Sequence, residues 1–226
     1  MSVYTLFIIS ESGSLVFHYD HNYPEKRVEK SFKYPLPFAF KQTEIGHVVD
    51  FGEDETFKLG YKILTINGMT IRGSTLENHV NIKDYIENKE NYPINLVCGV
   101  TKLGSNEKLR IAGMFQAVYS MSRFLTPPGL ALKKDSKKSG IHSIETSNYN
   151  VHCLESKVGV KFVLVTDKFL SLDSRSSLNE IYEVYADYVL KNPQYSSNQP
   201  FNYEFFISAV KNICEISEKR YQIANQ

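Results

Sequence analysis

Cysteine is scarce in this chain: Cys98, Cys153 and Cys214 lie far apart among 226 residues and are odd in number. That argues against a disulfide framework and for a reducing compartment. There is no Cys-x-x-Cys and no paired His/Cys ligand spacing, so a structural zinc is not expected. Charge of one sign is also lacking. The 26 basic and 25 acidic residues leave +1, which removes the global electrostatic case for nucleic acid or for an anionic membrane. Long apolar runs are missing too. Val3–Ile9 is interrupted by Tyr4 and Thr5, has no basic flank ahead of it, and is far too short to span a bilayer. The expectation is a cytosolic chain, soluble or peripherally attached, and long enough to bury a core without staples.

Catalytic signatures are absent as well. The Gly99-Val100-Thr101-Lys102 stretch lacks the spacing of a phosphate-binding loop, and no HExxH or GxSxG occurs. His152 and Cys153 are neighbours in a strand-like run, so their side chains point to opposite faces and cannot form a nucleophile and base there. His142 with Glu145 fits a solvated or pairing role. No catalytic, cofactor-binding or metal-ligating residue is expected, and no cofactor or small-molecule substrate.

What the chain does contain is a long helical pattern over Ser105–Leu125, SNEKLRIAGMFQAVYSMSRFL. Gly104 and Ser105 supply a cap, Glu107 suits the positive end of the helix dipole, and Pro127-Pro128 stop the helix. Ile111, Met114, Phe115, Val118, Met121, Ser122 and Leu125 recur at helical spacing, which predicts that this stripe faces the core. Apolar character extends beyond it, so the helix is expected to be covered on a second side by a partner. Leu109, Ala112, Gln116, Tyr119 and Arg123 are the candidate partner interface.

Around that helix the chain reads in order. VYTLFIIS and LVFHY, joined by Glu11-Ser12-Gly13-Ser14, form a hairpin whose first strand is apolar on both faces and therefore central in a sheet. From Asn22 the composition changes, and Pro24, Pro35 and Pro37 introduce a stretch of short strand signals that runs to Gly104. Within it, Gly60-Tyr61-Lys62-Ile63-Leu64-Thr65-Ile66-Asn67-Gly68 gives a loop, a strand and an Asn-Gly turn. Residues 81–88 place Ile82, Tyr85 and Ile86 at helical spacing, and Ile94–Val100 is a strand with Ile94, Leu96, Cys98 and Val100 on one face. Beyond the prolines, residues 129–140 carry Lys133, Lys134, Lys137 and Lys138, which fit a solvated loop or a weak contact to acidic lipid head groups.

Three strand candidates follow, IHSIETS, VHCLES and GVKFVLVT, separated by turns at Asn148-Tyr149-Asn150 and Lys157-Val158-Gly159. Val160, Phe162 and Leu164 point one way and Val163 and Val165 the other, so this sheet needs helices on both sides. Ser177-Leu178-Asn179-Glu180 reads as a capping box, ahead of a stripe of Leu178, Ile181, Tyr182, Tyr185 and Val189 that ends at Asn192-Pro193. After Pro200 a last helix turns Phe206, Val210, Ile213 and Ser217 to the core with Phe205, Ala209 and Ile216 beside them, and Lys219 and Arg220 sit in its last turn.

The Gly60 to Gly68 pattern resembles the strand before the peptide groove of a PDZ domain, with Tyr61 where that pattern has Asp. PDZ domains add a peptide strand and hold its terminal carboxylate on a glycine-rich loop. Ile45-Gly46-His47-Val48 is a poor candidate for such a loop, so this module is expected to act mainly as scaffold. With it set aside, the order is hairpin, long helix, three antiparallel strands and two helices, which resembles the longin fold. Fold class is therefore α+β: a longin (profilin-like) five-stranded antiparallel sheet with helices on both faces, plus an inserted PDZ-like β-rich module. The longin part takes residues 1–30 and 104–226, and the insertion residues 31–103.

The whole chain resembles the synbindin family of longin-fold subunits in the transport protein particle (TRAPP) tethering complex. The most specific stretches are Ser105-Asn106-Glu107-Lys108-Leu109 with Met114-Phe115, Ser139-Gly140-Ile141, Glu145-Thr146, His152-Cys153, and Gly159-Val160-Lys161-Phe162-Val163. Ile181-Tyr182-Glu183 and Leu190-Lys191-Asn192-Pro193 also fit, as do Ser31-Phe32-Lys33-Tyr34-Pro35-Leu36 and Ile66-Asn67-Gly68-Met69 in the insert region. The resemblance implies a non-catalytic core subunit of an assembly that promotes nucleotide exchange on the Rab GTPase of ER-to-Golgi traffic. Its partners would be other longin-fold and core TRAPP subunits, and the Rab GTPase through the assembled complex. It would be cytoplasmic and peripheral at Golgi and ER-to-Golgi membranes, with no nucleic acid partner. The alternative is a PDZ-like adaptor that binds C-terminal peptides of membrane proteins. A longin-bearing SNARE is disfavoured, because no long heptad region and no membrane anchor follow the last helix.

Overall fold

Strand β1 (Val3–Ile9) buries Leu6, Phe7, Ile8 and Ile9 almost completely, and such a strand is stable only between neighbours on both edges and cover on both faces. The computed structural model, which describes residues 2–43, 46–52, 60–125, 140–168, 174–196 and 198–224, places it at the centre of a five-stranded antiparallel sheet. The strand order is β10 (Ser143–Glu145), β11 (Tyr149–Glu155), β12 (Lys161–Asp167), β1, β2 (Leu15–Asp20). Gly13, at φ +91°, makes the turn from β1 to β2, where a side chain would be strained.

Register assigns the two faces. Leu6 lies opposite Leu164 and Ile8 opposite Phe162, and these side chains pack against α3 (Ser174–Tyr185) and α4 (Glu204–Ala224) through Leu178, Ile181, Tyr185, Phe206 and Val210. Aromatic rings fill this core: Phe17 meets the edge of Phe206 at 5.0 Å, and Phe162 that of Tyr185 at 5.2 Å. The alternate residues Thr5, Phe7, Ile9, Cys153, Lys161 and Val163 face the other way. Helix α2 (Ser105–Leu125) lies over that side, against β1 and β2. A five-stranded antiparallel sheet with helices on both faces is thus present.

Several local expectations change. The capping box at Ser177 is not a helix start: α3 already begins at Ser174, and the buried Ser177 Oγ lies 2.7 Å from Ser217 Oγ, tying α3 to α4. Tyr149 and Asn150 belong to β11; the preceding turn is closed by Tyr149 O, which accepts from the Thr146 N–H. Phe205 and Ile216 are exposed, because Phe206, Val210, Ile213, Cys214 and Ser217, with Ile207 beside them, take the inward face of α4. That helix runs on to Ala224, so Lys219 and Arg220 sit a turn before its end, and Arg220 Nη1 reaches Glu180 Oε1 at 3.0 Å.

The chain divides into Met1–Tyr23 with Gly104–Gln226 as one unit and Pro24–Leu103 as the other. The seam falls before residue 30 because β3 (Lys26–Phe32) pairs along its whole length with β9 (Ile94–Val100), so residues 24–30 go with the insertion. At Gly99 a Cβ would stand 1.8 Å from Lys26 O, so that pairing needs glycine there. This second unit is a seven-stranded sheet in the order β3, β9, β6 (Lys62–Ile66), β5 (Gly46–Gly52), β4 (Phe38–Thr43), with β7 (Met69–Arg72) on β6 and β8 (Thr75–Leu76) on β7. Asn67 at φ 48° and Gly68 at φ 78° form the two-residue turn between β6 and β7. Helix α1 (Ile82–Glu87) is capped by Asn81 Oδ1, which accepts from Lys83 N, and drops Ile82 into a core with Ile63, Ile66, Leu76, Ile94, Leu96 and Cys98. Gly46, His47 and Val48 pair with Thr43, Gln42 and Lys41, so this stretch is a strand and not an open carboxylate-binding loop; Ile45 lies outside the described residues.

Candidate interaction surface on helix α2

The residues that hold α2 to the sheet are mostly polar. Lys108 Nζ lies 2.6 Å from Asp20 Oδ2, with both side chains largely buried, and Thr5 Oγ1 donates to Asp20 Oδ1 at 2.9 Å. One turn on, Ala112 is wholly buried. Gln116 Nε2 donates to Glu11 O at 3.0 Å, and its stem crosses Gly13 so closely that a Cβ there would stand 2.9 Å from Cγ. Further along, the buried Tyr119 hydroxyl donates to Glu155 Oε2 at 2.9 Å. Lys161 Nζ sits 5.0 Å from the Tyr119 ring centre, donates to Gly159 O at 2.9 Å and lies 3.9 Å from Glu155 Oε1. Arg123 Nη1, more exposed, is 3.7 Å from the same carboxylate oxygen.

Burial acts on this cluster. It pulls the Lys161 ammonium below its ordinary pKa, with Glu155 opposing the shift, and it pushes the Tyr119 phenol up, helped by its hydrogen bond to Glu155. The Cys153 thiol is pushed up to about 12 by burial, so its thiolate does not form near neutrality. His152 lies opposite Leu164 and Cys153 opposite Val163, on the two different faces of the sheet. Among the described residues no three His, Cys, Asp or Glu side chains converge on a metal position.

The outward side of α2 is apolar. Ile111, Met114, Val118, Met121 and Leu125 are all exposed, Met114 at 62% and Leu125 at 81%, and Phe124 beside them at 90%. Five of the seven residues of the stripe expected in the core thus lie outside, while Phe115 and Ser122 are half-buried. Of the residues expected at a partner interface, Ala112 and Tyr119 are core contacts, Gln116 is half-buried, and only Leu109 and Arg123 are exposed. Lys133, Lys134, Lys137 and Lys138 lie outside the described residues. The signal for the inversion is in the sheet, whose α2 side carries Asp20, Glu155 and Lys161. A helix packed on those groups must offer them polar partners.

Six exposed apolar side chains, Ile111, Met114, Val118, Met121, Phe124 and Leu125, line this side of α2, a larger apolar patch than singly scattered surface residues make. The scaffold is α+β, an antiparallel sheet with helices on both faces. The chain belongs to the sybindin-like family, which it matches over residues 3–217. It is similar to trafficking protein particle complex subunit 4 of Mus musculus, 33% identical over 220 residues that span 97% of this chain and 96% of that one. The Homo sapiens subunit 4 is similar to the same extent. A shorter similarity, 32% over 96 residues, covers 42% of this chain and 66% of trafficking protein particle complex subunit 1 of Dictyostelium discoideum. Among the described residues no helix is long and apolar enough to cross a membrane.

Proposed function

We propose that this chain is a non-catalytic core subunit of a TRAPP tethering complex, and that the exposed stripe of α2 is buried there by a neighbouring longin-fold subunit. The observation that carries the interface is the inversion of α2, polar toward its own sheet and apolar toward solvent. The family and the near full-length similarity to subunit 4 proteins support the choice of complex. Similarity to a subunit 1 protein supports a neighbour built on a related scaffold.

In such an assembly the chain supplies area and shape to a surface that promotes nucleotide exchange on the Rab GTPase of ER-to-Golgi traffic, at Golgi and ER-to-Golgi membranes. Exchange of this kind needs no acid, base or nucleophile. A surface that binds the nucleotide-free GTPase more tightly than the loaded one weakens nucleotide binding by the same factor. The 24–103 unit, read as PDZ-like, serves as scaffold rather than peptide adaptor; the paired state of Gly46, His47 and Val48 speaks for that choice.

The test compares release of a fluorescent guanine nucleotide from the Rab by this chain alone and by the chain co-purified with the other core subunits. Acceleration only by the assembly is the expected result. Failure of the chain to co-purify with those subunits overturns the assignment. Arg123→Glu, at an exposed site on α2, separates assembly from GTPase contact: a complex that stays intact but exchanges more slowly puts the GTPase near this helix, and an intact complex with unchanged exchange keeps it away.

A further inference from the structure

We infer that the free chain, before it meets other subunits, covers the α2 stripe with a second copy of itself, the two helices antiparallel across a twofold axis near Val118. The inference shares with the proposed function only the premise that this stripe is an interface.

Self-complementarity is written in the order of the side chains. Ile111, Met114, Val118, Met121 and Leu125 follow at steps of three and four, and the series reads the same in chemistry from either end: branched, Met, Val, Met, branched. An isologous contact demands that kind of symmetry, because each residue must suit the counterpart that the twofold axis brings to it. Antiparallel copies set Ile111 of one chain by Leu125 of the other, Met114 by Met121, and Val118 by its own copy. Methionine at the intermediate levels adapts to small errors of crossing angle.

Direction follows from charge. Glu107 lies on the same line of the helix, one turn before Ile111, and fixes the helix start through a 2.8 Å bond from Gly104 N. Parallel helices would bring two such carboxylates and two helix N-termini together; antiparallel ones set each carboxylate toward the C-terminal half of the other helix, and the dipoles oppose favourably. On the flank, Phe124 is 90% exposed, and the antiparallel arrangement brings it beside Gly113, around which nothing lies within 4 Å of a built Cβ. The area is sufficient. At the observed exposures the stripe and Phe124 present roughly 800 Å² per copy, about one partner's share of a standard-size interface.

The experiment uses the purified full chain without other subunits. Sedimentation equilibrium at increasing micromolar concentration is expected to show a monomer–dimer equilibrium, and the Met114→Glu, Met121→Glu double variant to remain monomeric with an unchanged circular dichroism spectrum and melting temperature, since both side chains are exposed. Orientation is read by cysteine pairing under mild oxidation, the three native thiols being buried. Val118→Cys is expected to crosslink to itself. Ile111→Cys is expected to do so only when mixed with Leu125→Cys, because the fourteen-residue step between those levels spans about 21 Å of helix. A chain that stays monomeric at high micromolar concentration overturns the inference, as does self-crosslinking of Ile111→Cys, which no antiparallel pair centred near Val118 permits. Either result leaves co-purification with other subunits, the test of the proposed function, untouched.

Discussion

The Tyr119 hydroxyl donates to Glu155 Oε2 at 2.9 Å, with the phenol ring buried between Gly140 and the Lys161 ammonium. A helix thereby fastens its last two turns to the edge side of the sheet through a charged acceptor. Tyr119→Phe keeps the ring and deletes the donor, so the expected loss is about 1–2 kcal/mol, given that Glu155 keeps Lys161 and Arg123 nearby and is itself partly solvated. A drop of roughly 2–8 °C in melting temperature follows for a chain of this size. Unchanged melting of Tyr119→Phe would show that the bond contributes nothing net.

At the other end of α2, Lys108 and Asp20 form a pair with little exposure on either side. Removing one partner strands the other's charge, so Lys108→Met is expected to cost about 3 kcal/mol by urea unfolding. Adding Asp20→Asn should restore much of that loss, because the stranded carboxylate is gone; a double variant as unstable as the sum of the singles would mean that the two groups do not couple.

These two contacts also explain what was legible in the sequence and what was not. The bounds of α2 follow from Gly104, Ser105 and the two prolines, and the hairpins from Gly13, Asn67-Gly68 and Gly159. These are local signals, set by backbone torsion and capping. The facing of α2 is not local. Periodicity marks an apolar line on a helix but carries no information on what covers it, and here Asp20, Glu155 and Lys161, distant in the chain, claim the polar line. The same reason hid the start of α3, where Ser177 lies inside the helix and meets Ser217 forty residues away. Residues 24–30 go with the inserted unit because Lys26–Lys30 pair with β9, and register is a tertiary property that the sequence order does not display.

Stability is expected to fall as the pH drops below neutrality. His47 is almost wholly buried, and burial outweighs its hydrogen bond to the Gly73 backbone, so its pKa lies below the ordinary 6.5; burial also lowers that of His152, against the pull of Glu145. For a depressed group the unfolded chain takes up protons first. The stabilisation is therefore complete above the unfolded value and is lost as pH falls through the folded one. The urea midpoint at about pH 5.5 should lie below that at about pH 7.5, and His47→Asn should shrink the difference; a variant with the wild-type slope would exonerate His47.

Thiol chemistry gives the last test, one that reads both units at once. Cys98 belongs to the core of the 24–103 unit, Cys153 to the sheet face under α2, and Cys214 to the inward side of α4. Burial pushes all three thiols up to about 12. Reaction needs a thiolate and access, and the fold withholds both, so a disulfide reagent such as dithionitrobenzoate should find almost no reactive thiol in the native chain and all three after denaturation. With denaturant added in steps, the order in which the thiols appear reports which core opens first. Reaction of Cys98 well before the other two would show that the inserted unit unfolds separately, whereas simultaneous release of all three would mean that the two units melt as one.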